Sequence, residues 1–382
     1  MGQRGWSQWR FAEEIGVDRS WVTRALIGER DPGFSKVVDA LGRAGYKLVL
    51  VDDPSDGDGN NVRRRRFLVE LGTVVGVSQL SVAVPLTYGA GDLRDASEVR
   101  AAAQRYVKLE REFGGGVVYG PAARVAQMLV RRVRSERVSA AYRQAVGWYV
   151  HEVAWLAYDA GQRRATRTYG SQALELARRT QDRPLQARAY NLLSLAATSV
   201  RDGKSGAEFA RRGIAAARDG AEPDRTLLWA RLARAEAAQG PERARLAMQA
   251  LDHADAAAGG DRDVYEAVAN RGIVLMQFGN LDEARKPLTE AGDIIGRLGE
   301  PRNRCLYVAR SAKAAVRQSA LEEAVFLIDQ VLEEAAGIVS TRIDNHLREW
   351  MALTKPPHIA AVTDIREARD RVRDRLAPFA LA

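Results

Sequence analysis

The chain has 382 residues, and its 58 Lys and Arg exceed its 49 Asp and Glu for a net charge of +9, so it is long enough for two or more domains with a substantial core. A single cysteine, Cys305, excludes an intramolecular disulfide framework and fits a reducing cytoplasm. His151, His253, His346 and His358 show no metal-ligand spacing, and no P-loop, GxGxxG after a strand, HExxH or GxSxG occurs, so neither an enzyme nor a metal or other cofactor is expected.

At the amino end, Ser7 to Pro32 reads as two short helices joined by a tight turn. Phe11, Ala12 and Ile15 make an apolar face, and Gly16 suits the left-handed conformation of a sharp inter-helix turn. Asp18 is placed to cap the second helix, whose buried face is Val22 with Ala25 or Leu26. A further helix, built on Phe34, Val37, Val38 and Leu41, closes this small core, and the alternating YKLVLVDD reads as one short strand. Such a lone strand needs a partner edge, either in a second copy or as an extended tail over the core. Among residues 1–50 there are eight Lys or Arg against six Asp or Glu, so charge alone argues only weakly for nucleic acid.

The runs GWSQ, FAEEIGV and DRSWVTRALIGERDP resemble the helix-turn-helix of the phage-repressor/Cro-like (XRE) family, with Ala12, Gly16, Val22, Gly28 and Pro32 at matching spacing over residues 6 to 50. The family normally has a full helix before the motif, and only Met1 to Gly5 precede Trp6, so either the true start lies upstream of Met1 or this domain lacks part of its core. The resemblance implies a second helix lying in the DNA major groove. It places Asp18, Arg19, Ser20 and Arg24 against base edges, where Arg pairs with guanine, Ser is promiscuous and Asp accepts from cytosine. Capping is the plainer role for Asp18. Trp21 is set to touch a thymine methyl or a sugar, or to pack on its own helix. Gln8 matches a phosphate- or neighbour-contacting place, and Arg30 in the following loop suits phosphate.

Asp52 to Asn61, DDPSDGDGNN, reads as a linker. The next stretch, Arg63 to Leu86, places paired arginines before an apolar run, a pattern shared with export signals and membrane spans. Its internal position and its Glu70, Gln79, Ser78 and Ser81 favour an apolar helix packed on the following domain, with Arg63 to Arg66 solvated or near DNA phosphate.

From Asp92 onward the chain reads as helices separated by short turns, among them the triple glycine Gly114 to Gly116. Tyr265 to Ala291 resembles a tetratricopeptide repeat, with Gly272, Phe278-Gly279, Leu281, Ala284, Leu288 and Ala291 at the matching places. The alanine that opens each second helix recurs at Ala165, Ala207, Ala244, Ala284 and Ala324, in steps of 42, 37, 40 and 40. These steps exceed the ~34 residues of the regular repeat. Trp229, Leu232 and Ala233 match first-helix packing positions. Five units over 148–340 and a terminal helix Thr363 to Leu376 are predicted, stacked into a solenoid with a concave groove.

Nine residues before the turn residues Gly161, Val200, Gly240, Gly279 and Ser319 stand Glu152, Asn191, Arg231, Asn270 and Arg310. The tetratricopeptide resemblance implies that this place faces the groove and often grips a peptide backbone or carboxylate, although polar residues at such spacing also suit a solvated face. Trp148, Tyr149, Trp155 and Tyr158 read mostly as inter-helix core, with a ligand pocket as the alternative.

The fold expected is all-α: a small helix-turn-helix domain with one short strand (1–51), a linker (52–66), a helical connector (67–147) and a tetratricopeptide-like solenoid (148–382). The expected function is a cytoplasmic, bacterial, homodimeric transcription regulator that binds a double-stranded DNA operator and whose solenoid takes a peptide or small-molecule effector. The alternative is an interaction scaffold with a vestigial helix-turn-helix.

Overall fold

The computed structural model describes residues 47–51, 66–70, 81–82, 93–217 and 223–376. The chain divides into two units, Met1–Tyr88 with Pro378–Ala382, and Gly89–Ala377.

In the first unit, β1 (Lys47–Val51), β2 (Arg66–Glu70) and β3 (Ser81–Val82) form an antiparallel sheet in that order. Lys47 pairs with Glu70 and Val51 with Arg66, while Glu70 also pairs with Ser81. This corrects two expectations. The strand over 47–51 finds its partner within the same chain, and the run over 63–86 contains two strands in place of one helix. A short apolar run does not distinguish strand from helix by period alone, and RFLVE supplies an edge that β1 would otherwise leave open.

The described residues of the second unit are helices and turns, and none of the described helices is long and apolar enough to cross a membrane. Three helices open it: α1 (Ala96–Phe113), α2 (Gly115–Ser135) and α3 (Ala140–Asp159). Asp95 and Glu98 form a reciprocal capping box at the start of α1, and the Ser139 hydroxyl caps α3 by accepting from the Tyr142 N–H. There follow α4 (Arg163–Arg179), α5 (Arg183–Ser199), α6 (Gly203–Ala217), α7 (Pro223–Ala237), α8 (Ala244–Ala257), α9 (Asp261–Gln277), α10 (Leu281–Arg297), α11 (Pro301–Arg317) and α12 (Leu321–Glu334). The unit ends with α13 (Thr341–Leu353), the single turn α14 (Pro357–Ala360) and α15 (Thr363–Leu376), the last with the predicted bounds.

From α1 to α12 each helix packs on the next in sequence, α13 packs on α11, and α3, α5, α7 and α9 also touch one another in turn, so a helical solenoid fits these packed pairs. The turns set the period. Gly161, Gln181 and Arg201, then Gly279, Gly299 and Ser319, all have positive φ and stand twenty residues apart within each set. At each, the following N–H returns to a carbonyl five residues back, as in Asp182 N to Ala177 O at 2.9 Å and Asn280 N to Leu275 O at 3.0 Å. Two helices therefore repeat every forty residues.

This geometry corrects the repeat register. The positive-φ residue of the second turn is Arg201, one place after the turn residue Val200. Thr166 and Gly206 stand five residues after their turns, as Ala284 and Ala324 do, one place away from Ala165 and Ala207. Thr166, Ala284 and Ala324 are almost wholly buried, while a Cβ at Gly206 would meet the Thr198 hydroxyl. In the third unit a 3-10 turn, Pro241–Arg243, precedes Ala244, and the buried small residue there is Ala247.

The stack curls back on its own beginning. Val339, just after α12, donates its N–H to Phe113 O at 2.8 Å and accepts from Gly116 N at 3.1 Å. Buried Asp159 at the end of α3 accepts from Gly115 N at 2.8 Å, Ser340 Oγ at 2.8 Å and Arg302 at 2.8 Å, and Arg302 also pairs with Glu110. The triple glycine makes this approach possible. A Cβ at Gly114 would strike the Val339 carbonyl, and one at Gly115 would lie 2.8 Å from Asp159 Cβ. Gly114 also has φ of 84°, a region costly for residues with a Cβ.

Gly114→Ala should therefore lower unfolding free energy in urea by roughly 3 kcal/mol, combining backbone strain with overpacking. Gly292→Ala, within α10 where an added Cβ meets nothing, should be neutral or stabilising by about 0.5–1 kcal/mol. Equal effects of the two substitutions would show that the closing contact contributes nothing.

Candidate functional site

The DNA-facing residues expected from the sequence, Gln8, Asp18, Arg19, Ser20, Trp21, Arg24 and Arg30, lie outside the described residues. Those expected in the solenoid are described, and they divide into three settings.

Asn191 on α5, Arg231 on α7 and Asn270 on α9 come together as a buried ladder. Arg231 donates from Nε to Asn191 Oδ1 and from Nη1 to Asn270 Oδ1, each at 3.0 Å. The Glu266 carboxylate lies 3.9 Å from the same guanidinium, and Asn270 Nδ2 donates to the Glu266 carbonyl at 2.6 Å. Both Asn side-chain oxygens are thus engaged inside the protein, and the ladder ties three successive helix pairs together. Arg310 lies elsewhere, donating to Leu306 O at 2.8 Å with its guanidinium 5.1 Å from the Tyr307 ring centroid.

Glu152 faces a cavity of about 910 Å³ between α1, α3 and the turn that carries Gly299 and Pro301. This size is ample for a small molecule. Its walls mix Ala103, Val107 and Trp148 with the cations Arg100, Lys108 and Arg111. The Trp148 ring is fixed from behind. Its Nε1 donates to Asp182 Oδ2 at 2.9 Å, Gln144 Nε2 donates to the same oxygen at 2.8 Å, and the Arg188 guanidinium lies 5.7 Å from the ring. Asp182 Oδ1 meanwhile caps α5 through Leu185 N at 3.0 Å, so one carboxylate anchors both a helix and a cavity wall. Burial pushes the Glu152 carboxyl up to about 7, with Arg188 pulling it the other way. The cavity therefore holds an acid that titrates near neutrality.

The aromatic group divides. Tyr149 is core, donating to Ala122 O at 3.2 Å and meeting Tyr106 edge to face. Trp148 lines the cavity, while Trp155 donates to buried His151 at 3.1 Å, whose own pKa burial depresses to about 3. Tyr158 sits under Arg342.

Sequence reasoning missed several site residues. Asp182 was legible as a helix cap before Arg183-Pro184, but its second task depends on Gln144 and Trp148 from another helix. Arg234, Arg342 and Asp159 carry no local signal at all. Buried Cys305, whose thiol burial raises to about 11, is protected from reaction. Among the described residues no group of His, Cys, Asp and Glu is placed to hold a metal ion. No family model matches the chain, and no curated protein matches it either.

Because the Glu152 pKa is raised on folding, its contribution to stability is complete below the unfolded value near 4.5 and is lost as pH rises toward 7. Glu152→Gln should accordingly gain about 1–2 kcal/mol over the wild type between pH 4.5 and 8, after allowance for the side chain's partial exposure. Chemical denaturation at both pH values measures this, and parallel stability curves would contradict the buried-acid assignment.

Proposed function

We propose that the chain is a sequence-specific DNA-binding transcription regulator, working as a homodimer, whose helical unit takes a small-molecule effector in the Trp148–Glu152 cavity. The observation that carries the effector half is the cavity itself, with a preset aromatic wall, three cations and an acid near neutrality. The DNA half rests on the sequence over Ser7 to Pro32. The forty-residue recurrence of helix pairs supports reading the helical unit as tetratricopeptide-like. A small molecule is favoured over a peptide because the two Asn of the expected peptide-gripping register already hold Arg231.

Two recognition helices reading paired half-sites must stand about one DNA turn apart, ~34–36 Å. An effector that binds more tightly to one arrangement of the helical unit shifts the dimer toward or away from that spacing. The cavity draws its walls from α1, α3 and the α10–α11 turn, so a ligand there bears on elements that meet at the closing contact. Arg19 and Arg24 act as base readers in this account, and Asp18 as the cap of their helix.

Operator selection from a random DNA pool, followed by gel shifts, tests the reading. Arg19→Ala or Arg24→Ala should lose about tenfold or more in preference for the selected site, in line with ~1–3 kcal/mol for a bidentate base contact. An unchanged preference in both variants would overturn the base-reading assignment, and failure to select any sequence would overturn the regulator.

A further inference from the structure

Inside the curve of the helical unit, cations from three helices gather with few carboxylates to balance them. Arg234 on α7 has its buried Nε without a hydrogen-bond partner. After burial, the strongest influences on its charge are the two arginines Arg231 and Arg310, and together these pull its pKa down to about 9. Arg310 on α11 is likewise depressed by burial and by Arg342 of α13. Phenols frame the group: Arg342 lies 5.2 Å from the Tyr158 ring, and Tyr265 donates to the Tyr307 hydroxyl at 3.1 Å. Of the neighbouring carboxylates, Glu266 stands beside Arg231, and Asp159, 3.9 Å from the Arg342 guanidinium, is shared with Arg302, Ser340 and Gly115, so Arg234 and Arg310 have no carboxylate of their own among these.

Tyr158 and Arg342 also line a cleft of about 670 Å³ whose other walls include Arg163, Arg164 and Arg167 and the hydroxyls of Ser171 and Ser199. No Asp or Glu is among its lining residues. The basic cleft and the inner arginines thus share two side chains. A guanidinium keeps its proton under all ordinary conditions, so crowding of this kind is relieved by a counter-anion and not by deprotonation. Planar guanidinium forks and hydroxyl donors suit a phosphoryl group better than a lone halide, because each fork meets two oxygens.

We propose that this basic cleft and the arginines behind it, Arg234, Arg310 and Arg342, bind a small phosphorylated molecule by its phosphate or diphosphate group. The site is separate from the Trp148–Glu152 cavity and needs no DNA-binding activity. The Ser171 hydroxyl supplies a donor at the mouth, and the inner arginines supply positive charge that few carboxylates offset.

Titration calorimetry and thermal melting of the full chain with sodium pyrophosphate test this, with sodium citrate and sodium chloride at matched ionic strength as controls. Pyrophosphate should bind saturably and raise the melting temperature by several degrees, and citrate should bind at least tenfold more weakly. Arg234→Gln and Arg310→Gln should each weaken pyrophosphate binding tenfold or more, while melting, without the anion, at or above the wild-type temperature. Should either fail to fold, Arg342→Gln, which also removes a 3.9 Å pairing with Asp159, gives the binding readout without the melting one. Citrate equal to pyrophosphate, a melting shift no larger than that from sodium chloride, or undiminished binding in the folded variants would overturn the proposal. A chain that selects no operator but binds pyrophosphate would refute the regulator and leave this site standing.

Discussion

The helical unit depends on one contact between distant parts of the chain, the seating of Val339 and Ser340 on the Gly114–Gly116 turn. Stacked helix pairs touch only their neighbours and curve by a small rotation at each step, so a contact between the first and last pairs fixes where that curl ends. Here Phe113 and Gly116 pair with the Val339 backbone while Asp159, wholly buried, collects Gly115, Ser340 and Arg302. A buried carboxylate in such a place is tolerated only because its oxygens are satisfied and a cation stands against it. The closing contact therefore has to form as a whole. Glu110 beside Arg302 is part of the same seam, and burial raises its pKa, so the seam favours a near-neutral balance of charge.

Closure has consequences for chemistry. Polar side chains that would be solvated on an open stack face a confined space. Asn191, Arg231 and Asn270 respond by bonding to one another. Arg234 keeps a buried Nε without a hydrogen-bond partner, and burial with the charges of Arg231 and Arg310 lowers its pKa. Trp148 and Glu152 of α3 line a separate cavity with α1 and the Gly299 turn. One helix thus presents an acid near neutrality to one space and, through Tyr158, an aromatic face to a basic one.

How much of this could be read from residues alone follows from where each signal resides. Gly161 and Gly279 are legible turns, because glycine is the usual occupant of a left-handed position. Gln181, Arg201 and Ser319 make the same turn with residues that give no hint of it, and the repeat register slipped at Val200 for that reason. Helix content, the forty-residue step and the terminal helix were legible through apolar spacing. The strands at Arg66–Glu70 and Ser81–Val82 were not, since an apolar run without a clear period suits either structure. The triple glycine was visible as a break, but its purpose lies more than two hundred residues away at Val339. The repeat register points Glu152 at a concave groove, while the cavity it lines is built with the first helix and the Gly299 turn, and Arg234 is indistinguishable in sequence from a solvated arginine on a helix.

Hydrogen exchange at single amides tests the closed arrangement most directly. The N–H groups of Gly115, Gly116 and Val339 are held by Asp159, Val339 and Phe113. In the wild type they should exchange as slowly as helix-core amides such as that of Leu288, and Asp159→Asn should accelerate all three together while leaving Leu288 protected. Exchange of these three amides at the rate of exposed loops in the wild type would contradict closure, and with it the confined basic interior.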